Sequence, residues 1–136
     1  MATGPYGRVM RRGTSATGPL PPPAVWERYA RPSAWPSWST QILRVECAQD
    51  RLTPGLTGRV HGLFGVKADF DVLTVDEQRR TWSWRASRGP ITLTLHHAVL
   101  AAGDGTQTTL EIDGPALAVL PYAPVAQVAL RRLVRP

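Results

Sequence analysis

Cysteine is nearly absent from this chain. Its 136 residues include one cysteine, Cys47, so an intrachain disulfide is excluded. Cysteine and histidine do not occur at the spacing of metal ligands, and no residue near Cys47 in sequence would lower the pKa of its thiol. We therefore expect no metal site, and we interpret Cys47 as a small buried side chain at the end of a strand.

Several signatures of catalysis and cofactor binding are also missing. The chain has no Ser-His-Asp order, no phosphate-binding loop and no carboxylate pair. We therefore expect no cofactor, and any chemistry would have to come from isolated side chains inside a fold.

Long apolar runs are absent as well. No stretch approaches the roughly 20 residues that are needed to cross a bilayer. The N-terminus lacks the apolar core of a secretory signal. We expect no membrane span and a cytoplasmic location. The length is typical of one domain, and the hydrophobic content of 43% is sufficient for a core.

Acidic residues are absent from both ends of the chain, and this explains the net charge. The six arginines of these ends equal the formal excess of +6, and the ten other basic residues balance the ten acidic ones. They are Arg8, Arg11, Arg12, Arg131, Arg132 and Arg135. A nucleic-acid-binding domain would carry a basic face on its folded body. We interpret the two ends as solvated basic segments and expect no nucleic-acid partner.

The first part of the chain is rich in Gly, Pro, Ser and Thr. We predict a flexible basic segment over residues 1–20, in which a weak first strand could lie between Gly7 and Thr17. The rest of the chain, residues 21–136, is predicted to be one folded domain.

Two short helices are predicted next. Val25, Trp26 and Tyr29 have helical spacing, which predicts a helix over residues 23–30. Pro32 ends it, and a second helical turn is predicted over residues 32–38.

A period of two then replaces the helical pattern. The predicted strands cover residues 41–47, 57–63, 68–75, 80–86, 91–101 and 106–112. Short turn signals such as Gly103-Asp104-Gly105 separate them, so the strands should form an antiparallel meander.

The last segment returns to a helical pattern over residues 116–134. Pro121 and Pro124 would each remove a hydrogen bond of the helix, so we expect a kink or break near Tyr122. A mostly apolar helix needs a surface to cover, and the apolar face of the sheet is the obvious partner.

The order of these elements and several motifs resemble one known family. Val25-Trp26-Glu27, followed by Trp35-Pro36-Ser37-Trp38, resembles the opening of bacterial polyketide cyclase/dehydrase-like proteins of the START-like (SRPBCC) superfamily. Trp82-Ser83-Trp84, His96-His97, Gly103-Asp104-Gly105-Thr106 and Asp113-Gly114-Pro115 follow in the family's order. The resemblance covers about residues 20–133.

The resemblance implies an α+β helix-grip fold. Its expected parts are a curved antiparallel sheet of six to seven strands, two short N-terminal helices and a longer C-terminal helix over a cavity. Two departures are the weak first strand and the prolines of the last helix. The lid could therefore be distorted, or a second copy in a homodimer could complete it.

Strand alternation sorts the candidate site residues by face. On the strand over residues 91–101 the apolar side must face inward, which places His97 inside and His96 outside. His97 is then either a general acid/base for an aldol or dehydration step, or a core histidine that is hydrogen bonded to a neighbour.

The other candidates are mainly aromatic. Trp82, Trp84 and Phe70 are predicted to face inward, where they could form the wall of a site for a planar ligand or simply belong to the core. Tyr122 could offer a hydroxyl at the cavity mouth or pack against its neighbours. Trp35 and Trp38 are predicted to pack the corner between the helices and the sheet.

Arg59 and His61 share one face of their strand. If that face is inward, Arg59 could hold a carboxylate or polarise a carbonyl of a ligand. If it is outward, both side chains are solvated, and this is the interpretation that we prefer.

The resemblance implies binding of a small hydrophobic, polyketide-like or aromatic molecule. The preferred hypothesis is a cofactor-free cyclase or dehydratase in which His97 carries proton transfer. The alternative is a non-catalytic lipid or metabolite carrier. Two or more polar groups that converge inside the cavity would favour an enzyme, and one or none would favour a carrier. A protein-interaction module would instead need a large exposed apolar patch.

Overall fold

The computed structural model describes residues 3–4 and 7–136. The strands are β1 (Thr3–Gly4), β2 (Gly7–Gly18), β3 (Ile42–Cys47), β4 (Thr57–Gly62), β5 (Lys67–Asp76), β6 (Thr81–Arg88), β7 (Ile91–Ala102) and β8 (Gly105–Pro115). The helices are α1 (Pro22–Ala30), α2 (Trp35–Trp38) and α3 (Ala116–Leu133), with 3₁₀ turns at Pro32–Ala34 and Leu63–Gly65. All six strands predicted from alternation are present.

The strands form one antiparallel sheet. Their order is β1-β2-β8-β7-β6-β5-β4-β3, so β3 to β8 are a meander and β2 closes the row beside β8. Because β1 has two residues, seven long strands make up the curved sheet over which α3 lies. The predicted α+β architecture is confirmed.

Strand β2 is longer and more regular than the sequence suggested. Its residues Val9 to Gly18 pair with β8 along their whole length. A Cβ atom at Gly18 would lie 2.6 Å from the Cγ2 atom of Val134, so this glycine allows the end of α3 to pack on the strand. The segment over residues 1–20, which was expected to be flexible, thus contains β1 and the twelve residues of β2. Backbone pairing with β8 and contact with α3 stabilise this strand. Its mixture of glycine, arginine and small residues did not indicate either partner.

Helix α3 continues through both prolines, which differs from the expected break near Tyr122. Pro121 and Pro124 leave the carbonyl groups of Leu117 and Leu120 without helical partners. Both leucines are more than half exposed, so these carbonyls lie on the solvent side, where water can hydrate them. The buried side of the helix keeps its regular form over the sheet.

The tryptophan corner ties the first two helices together. The indole Nε1–H of Trp35 donates to the carbonyl oxygen of Tyr29 at 2.9 Å, and that of Trp38 donates to the carbonyl of Arg28 at 3.2 Å. Both indole rings are buried. The corner therefore fixes α2 against the end of α1 and beside β3.

The convex face of the sheet is polar. Arg59 pairs with Asp69, and Arg85 pairs with Asp71, each at 2.8 Å.

Cys47 is half-buried, less than expected, and burial raises the pKa of its thiol. In the part of the chain that the structure describes, no helix is long and apolar enough to span a membrane.

Candidate ligand-binding cavity

An apolar cavity of about 430 Å³ lies between the concave face of the sheet and α3. Its volume falls in the range of small-molecule sites. The wall consists mainly of aliphatic side chains of the central strands together with Trp84, Tyr122 and Val125. The strand residues are Val60, Ala68, Ala86, Ile91, Leu93 and Leu95. Such a lining favours an apolar ligand because burial of its surface is stabilising.

The mouth of this cavity is formed by two connections between strands. The 3₁₀ turn after β4 contributes Leu63 and Phe64, and the end of β6 contributes Arg88. Phe64 is 99% exposed and has a φ of +58°, a conformation that a non-glycine residue rarely adopts. A large apolar ring therefore projects into solvent at the entrance.

A smaller inner chamber of about 30 Å³ adjoins the main cavity. Gln41, Ile42, Trp84 and Tyr122 line both spaces. The inner chamber is closed by the tryptophan corner, His97, Ser39 and the middle of α3. It has room for about one or two water-sized groups.

His97 faces inward as predicted, but both of its ring nitrogens are occupied. The indole N–H of Trp84 donates to Nε2 at 3.0 Å, and Nδ1 lies 3.0 Å from the hydroxyl oxygen of Tyr29. An indole N–H can only donate, so Nε2 accepts and the proton of the neutral imidazole lies on Nδ1. That proton is donated to Tyr29. The ring has no free nitrogen for a ligand.

Burial makes this imidazole hard to protonate. Removal from water is the main cause that lowers the pKa of His97 to about 3, and the nearby His96 acts in the same direction. The ring is therefore neutral at physiological pH. A general acid/base works best when its pKa is near the operating pH. The geometry thus corresponds to the second interpretation of His97, a core histidine that is hydrogen bonded to its neighbours.

The predicted aromatic residues occupy different places. The rings of Trp82 and His97 stack with centroids 4.6 Å apart, and Trp82 lines only the inner chamber. Trp84 lines both spaces. Phe70 is buried against Trp35 and Trp84 but reaches neither the cavity nor the chamber. Of the three, Trp84 is the aromatic wall of the main cavity.

Arg59 and His61 lie away from the cavity. Val60, which lies between them in β4, faces the cavity. Because side chains alternate along a strand, Arg59 and His61 point to the convex face. Arg59 pairs with Asp69 there, and His61 is hydrogen bonded to Glu46. A shallow surface groove includes Arg59 and Glu46. The structure therefore does not bring these two residues to the ligand cavity.

Tyr122 and Gln41 lie at the junction of the two spaces. Burial raises the pKa of the Tyr122 hydroxyl above its usual range, and the neighbouring Gln41 side chain partly offsets this. Both groups are neutral at physiological pH, so they can donate or accept hydrogen bonds but supply no charge. Sequence reasoning missed Gln41 and Ser39, because they sit between α2 and β3 with no distinguishing pattern.

Among the residues that the structure describes, no group of three or more His, Cys, Asp or Glu side chains could hold a metal ion.

The fold defines a helix-grip protein, and comparisons with known proteins agree. The crystal structure of Ara h 8.0201 superimposes with a TM-score of 0.76 over 93% of this chain and 95% of that chain, at 15% sequence identity. This likeness shows that the two proteins share a fold. A comparison with curated proteins gives no match.

A family model described as "Polyketide cyclase / dehydrase and lipid transport" matches residues 13–136. The chain belongs to this family. Family and fold together support the binding of a hydrophobic ligand.

Proposed function

We propose that this protein is a binding protein or carrier for a small hydrophobic molecule, which occupies the cavity beneath α3. One observation carries the proposal. Among the residues that the structure describes, the cavity wall is apolar, and its single ionised side chain, Arg88, lies at the mouth. An apolar molecule would be stabilised inside by burial alone, with no charged group to orient a reaction.

The state of His97 also favours a carrier over an enzyme in which His97 carries proton transfer. Its two nitrogens are engaged by Trp84 and Tyr29, so proton transfer to a ligand would require both hydrogen bonds to break. Breaking them would leave buried polar groups without partners, which costs about 1–3 kcal/mol for each group.

A second candidate, a cyclase or dehydratase, is favoured because two polar groups converge inside the cavity, which is the feature expected of an enzyme; we rank it second because both groups are uncharged. The Tyr122 hydroxyl and the Gln41 amide converge where the two spaces meet. A neutral hydroxyl can donate a hydrogen bond to a ligand carbonyl and stabilise the negative charge that develops there in an aldol step. This enzyme would use Tyr122 and the shape of the cavity, and would not require His97.

A cavity-filling substitution tests the binding proposal. Ala86→Trp places a large ring inside the cavity, whereas Thr92→Trp places the same ring at an exposed position on the other face of the sheet. We expect Ala86→Trp to abolish binding of naphthalene measured by calorimetry and Thr92→Trp to leave it unchanged. Equal binding by both folded variants would contradict the location.

Incubation with a linear poly-β-ketone distinguishes the two candidates. Cyclisation followed by dehydration releases one water from the ketone, which mass spectrometry detects. A carrier returns the probe unchanged. If the mass of one water is lost and Tyr122→Phe stops the loss, the enzyme is the correct candidate.

The cytoplasmic location and the homodimer that the sequence analysis left open stay predictions. Cell fractionation and light scattering of the purified chain would test them.

A further inference from the structure

We propose that the inner chamber is a subsite for one neutral hydroxyl group of the ligand. The preferred ligands would then be apolar molecules that end in an alcohol or phenol, and carboxylates would be excluded. This inference rests on the proposed binding function and specifies the chemistry of the ligand.

Three buried polar atoms of the chamber carry the inference. The Ser39 hydroxyl oxygen, the Gln41 amide oxygen and the Trp82 indole nitrogen are inaccessible to solvent, and none has a hydrogen-bond partner among the described residues. All three residues line the chamber. A buried polar group without a partner is costly, so such a cluster in one small space indicates a missing polar occupant.

Trp82 differs in this respect from the other tryptophans of the chain. The indole N–H groups of Trp26, Trp35, Trp38 and Trp84 each donate a hydrogen bond, although Trp26 and Trp38 do so in part-buried surroundings. The fold thus provides an acceptor for every other indole. Trp82, which is 3% exposed and lines the chamber, is therefore the one tryptophan among the described residues whose indole donor is unused.

The three atoms complement a hydroxyl group. Trp82 can only donate, the Gln41 oxygen can only accept, and the Ser39 hydroxyl can do either. A ligand hydroxyl both donates and accepts, so it could receive the Trp82 hydrogen bond and donate to Gln41. A ligand without a donor would leave the Gln41 oxygen unpaired.

Charge excludes a carboxylate from this position. In the described part of the chain no lysine or arginine lines the chamber, and His97 is neutral because its nitrogens are hydrogen bonded and buried. A carboxylate there would lose its hydration without gaining a cation, which is unfavourable. The main cavity, which shares four wall residues with the chamber, would hold the apolar body of the same ligand.

Three matched probes test the subsite with the full chain. Naphthalene, 2-naphthol and 2-naphthoate share two fused rings and differ in one substituent. We expect calorimetry at neutral pH to give 2-naphthol about ten-fold tighter binding than naphthalene, as hydrogen bonds of ordinary strength would provide. We expect 2-naphthoate to bind more weakly than 2-naphthol by at least the same factor.

The outcomes separate the subsite from the function on which it rests. If none of the probes binds, the proposed function and the subsite both fail. If naphthalene binds and 2-naphthol binds no more tightly, or if 2-naphthoate binds best, the function stands and the subsite is overturned. If the chamber holds only a structural water, naphthalene should bind and 2-naphthol should bind no more tightly, which would overturn the subsite.

Substitutions of chamber residues test whether the preference for 2-naphthol arises in the chamber. Ser39→Ala removes one of the three groups, and we expect the preference for 2-naphthol over naphthalene to fall about five-fold. Ser37→Ala is the matched control, because the Ser37 hydroxyl is exposed and bonds to the carbonyl of Ala34. Trp82→Phe removes the indole donor and gives a second measurement if Ser39→Ala does not fold. An unchanged preference in a folded chamber variant would overturn the subsite.

Discussion

Among single residues, His97 shows how surroundings determine what a titratable side chain can do. It lies between Trp82 and Tyr29 in the aromatic core, and its hydrogen bonds to Trp84 and Tyr29 fix one tautomer. The same residue on a solvated wall would titrate near neutrality. Here it contributes a pH-dependent part of the free energy of unfolding.

The sign of this pH dependence follows from the depressed pKa. The folded state binds a proton at His97 only near pH 3, while the unfolded chain binds it near the ordinary value of 6.5. The contribution is therefore fully present above about pH 6.5 and is lost as the pH falls toward 3. As the pH falls from about 7 to about 5, protonation of His97 in the unfolded chain should lower the free energy of unfolding by about 2 kcal/mol. Urea denaturation at the two pH values measures this change.

His97→Gln provides the control, since glutamine does not titrate. Paired carboxylates such as Asp113 and Glu77 also have lowered pKa values, so their contribution to the free energy of unfolding is also lost in acid, at lower pH than that of His97. They are present in both proteins and cancel in the difference. If both proteins lose stability equally between about pH 7 and pH 5, the burial argument for His97 is wrong.

Among the elements, α3 tolerates its prolines because of where they lie. Pro121 and Pro124 are both exposed, and the opposite side of the helix carries the buried residues Val119, Ala126 and Leu130. The helix therefore keeps its packing against the sheet, although it lacks two backbone hydrogen bonds on its solvent-exposed side.

Restoring one of these hydrogen bonds should stabilise the protein. Proline inside a helix lowers stability by about 3 kcal/mol relative to alanine. The unfolded chain of an alanine variant has more conformational entropy, which offsets up to about 1 kcal/mol of this gain. We expect Pro121→Ala to raise the free energy of unfolding by about 1–2 kcal/mol in urea denaturation.

The control for this change is Pro22→Ala, in the first turn of α1. Proline fits that position without loss of a hydrogen bond. Its replacement should therefore lower stability slightly. A decrease in both variants would mean that α3 gains nothing from the restored bond.

Strand β4 depends on a glycine for its contact with the core. A Cβ atom at Gly58 would lie 2.2 Å from the carbonyl oxygen of Glu46 and 2.7 Å from the ring of Phe70. Gly58→Ala should lower the free energy of unfolding by about 1–3 kcal/mol because strand and ring must separate.

Gly13 in β2 is a matched comparison. A Cβ atom there meets a single neighbour, the carbonyl oxygen of Leu110 at 3.9 Å, so the space is open. Gly13→Ala should leave stability unchanged or raise it slightly. Equal losses for the two glycines in thermal denaturation would exclude the packing explanation.

Sequence reasoning succeeded where one pattern determines one element. The alternation around His97 predicted both the strand and the inward face, and the spacing of Val25, Trp26 and Tyr29 predicted α1. It failed where distant segments meet. The chamber needs Ser39 and Trp82, which are far apart in sequence, and the regular form of β2 depends on pairing with β8.

At the scale of the whole molecule, ligand binding and folding should be coupled. A ligand that occupies a cavity of the folded state alone stabilises that state by mass action, by about 2.7 kcal/mol at one hundred times its Kd. Thermal denaturation with 2-naphthol at that excess should show a higher midpoint for the unmodified chain. The folded variant Ala86→Trp should show no shift, and an equal shift would mean that the probe binds elsewhere.

The tryptophan cluster gives the protein an optical property of its own. The ring centroids of Trp35, Trp82 and Trp84 lie 5.2 to 5.7 Å apart, and the last two rings are nearly parallel. At such distances the electronic transitions of the indoles couple, and the near-ultraviolet circular dichroism of the chain should show an exciton signal. Trp84 also forms part of the cavity wall, so an occupant would disturb that coupling directly. The molecule thus carries a spectroscopic reporter of cavity occupancy that needs no added dye.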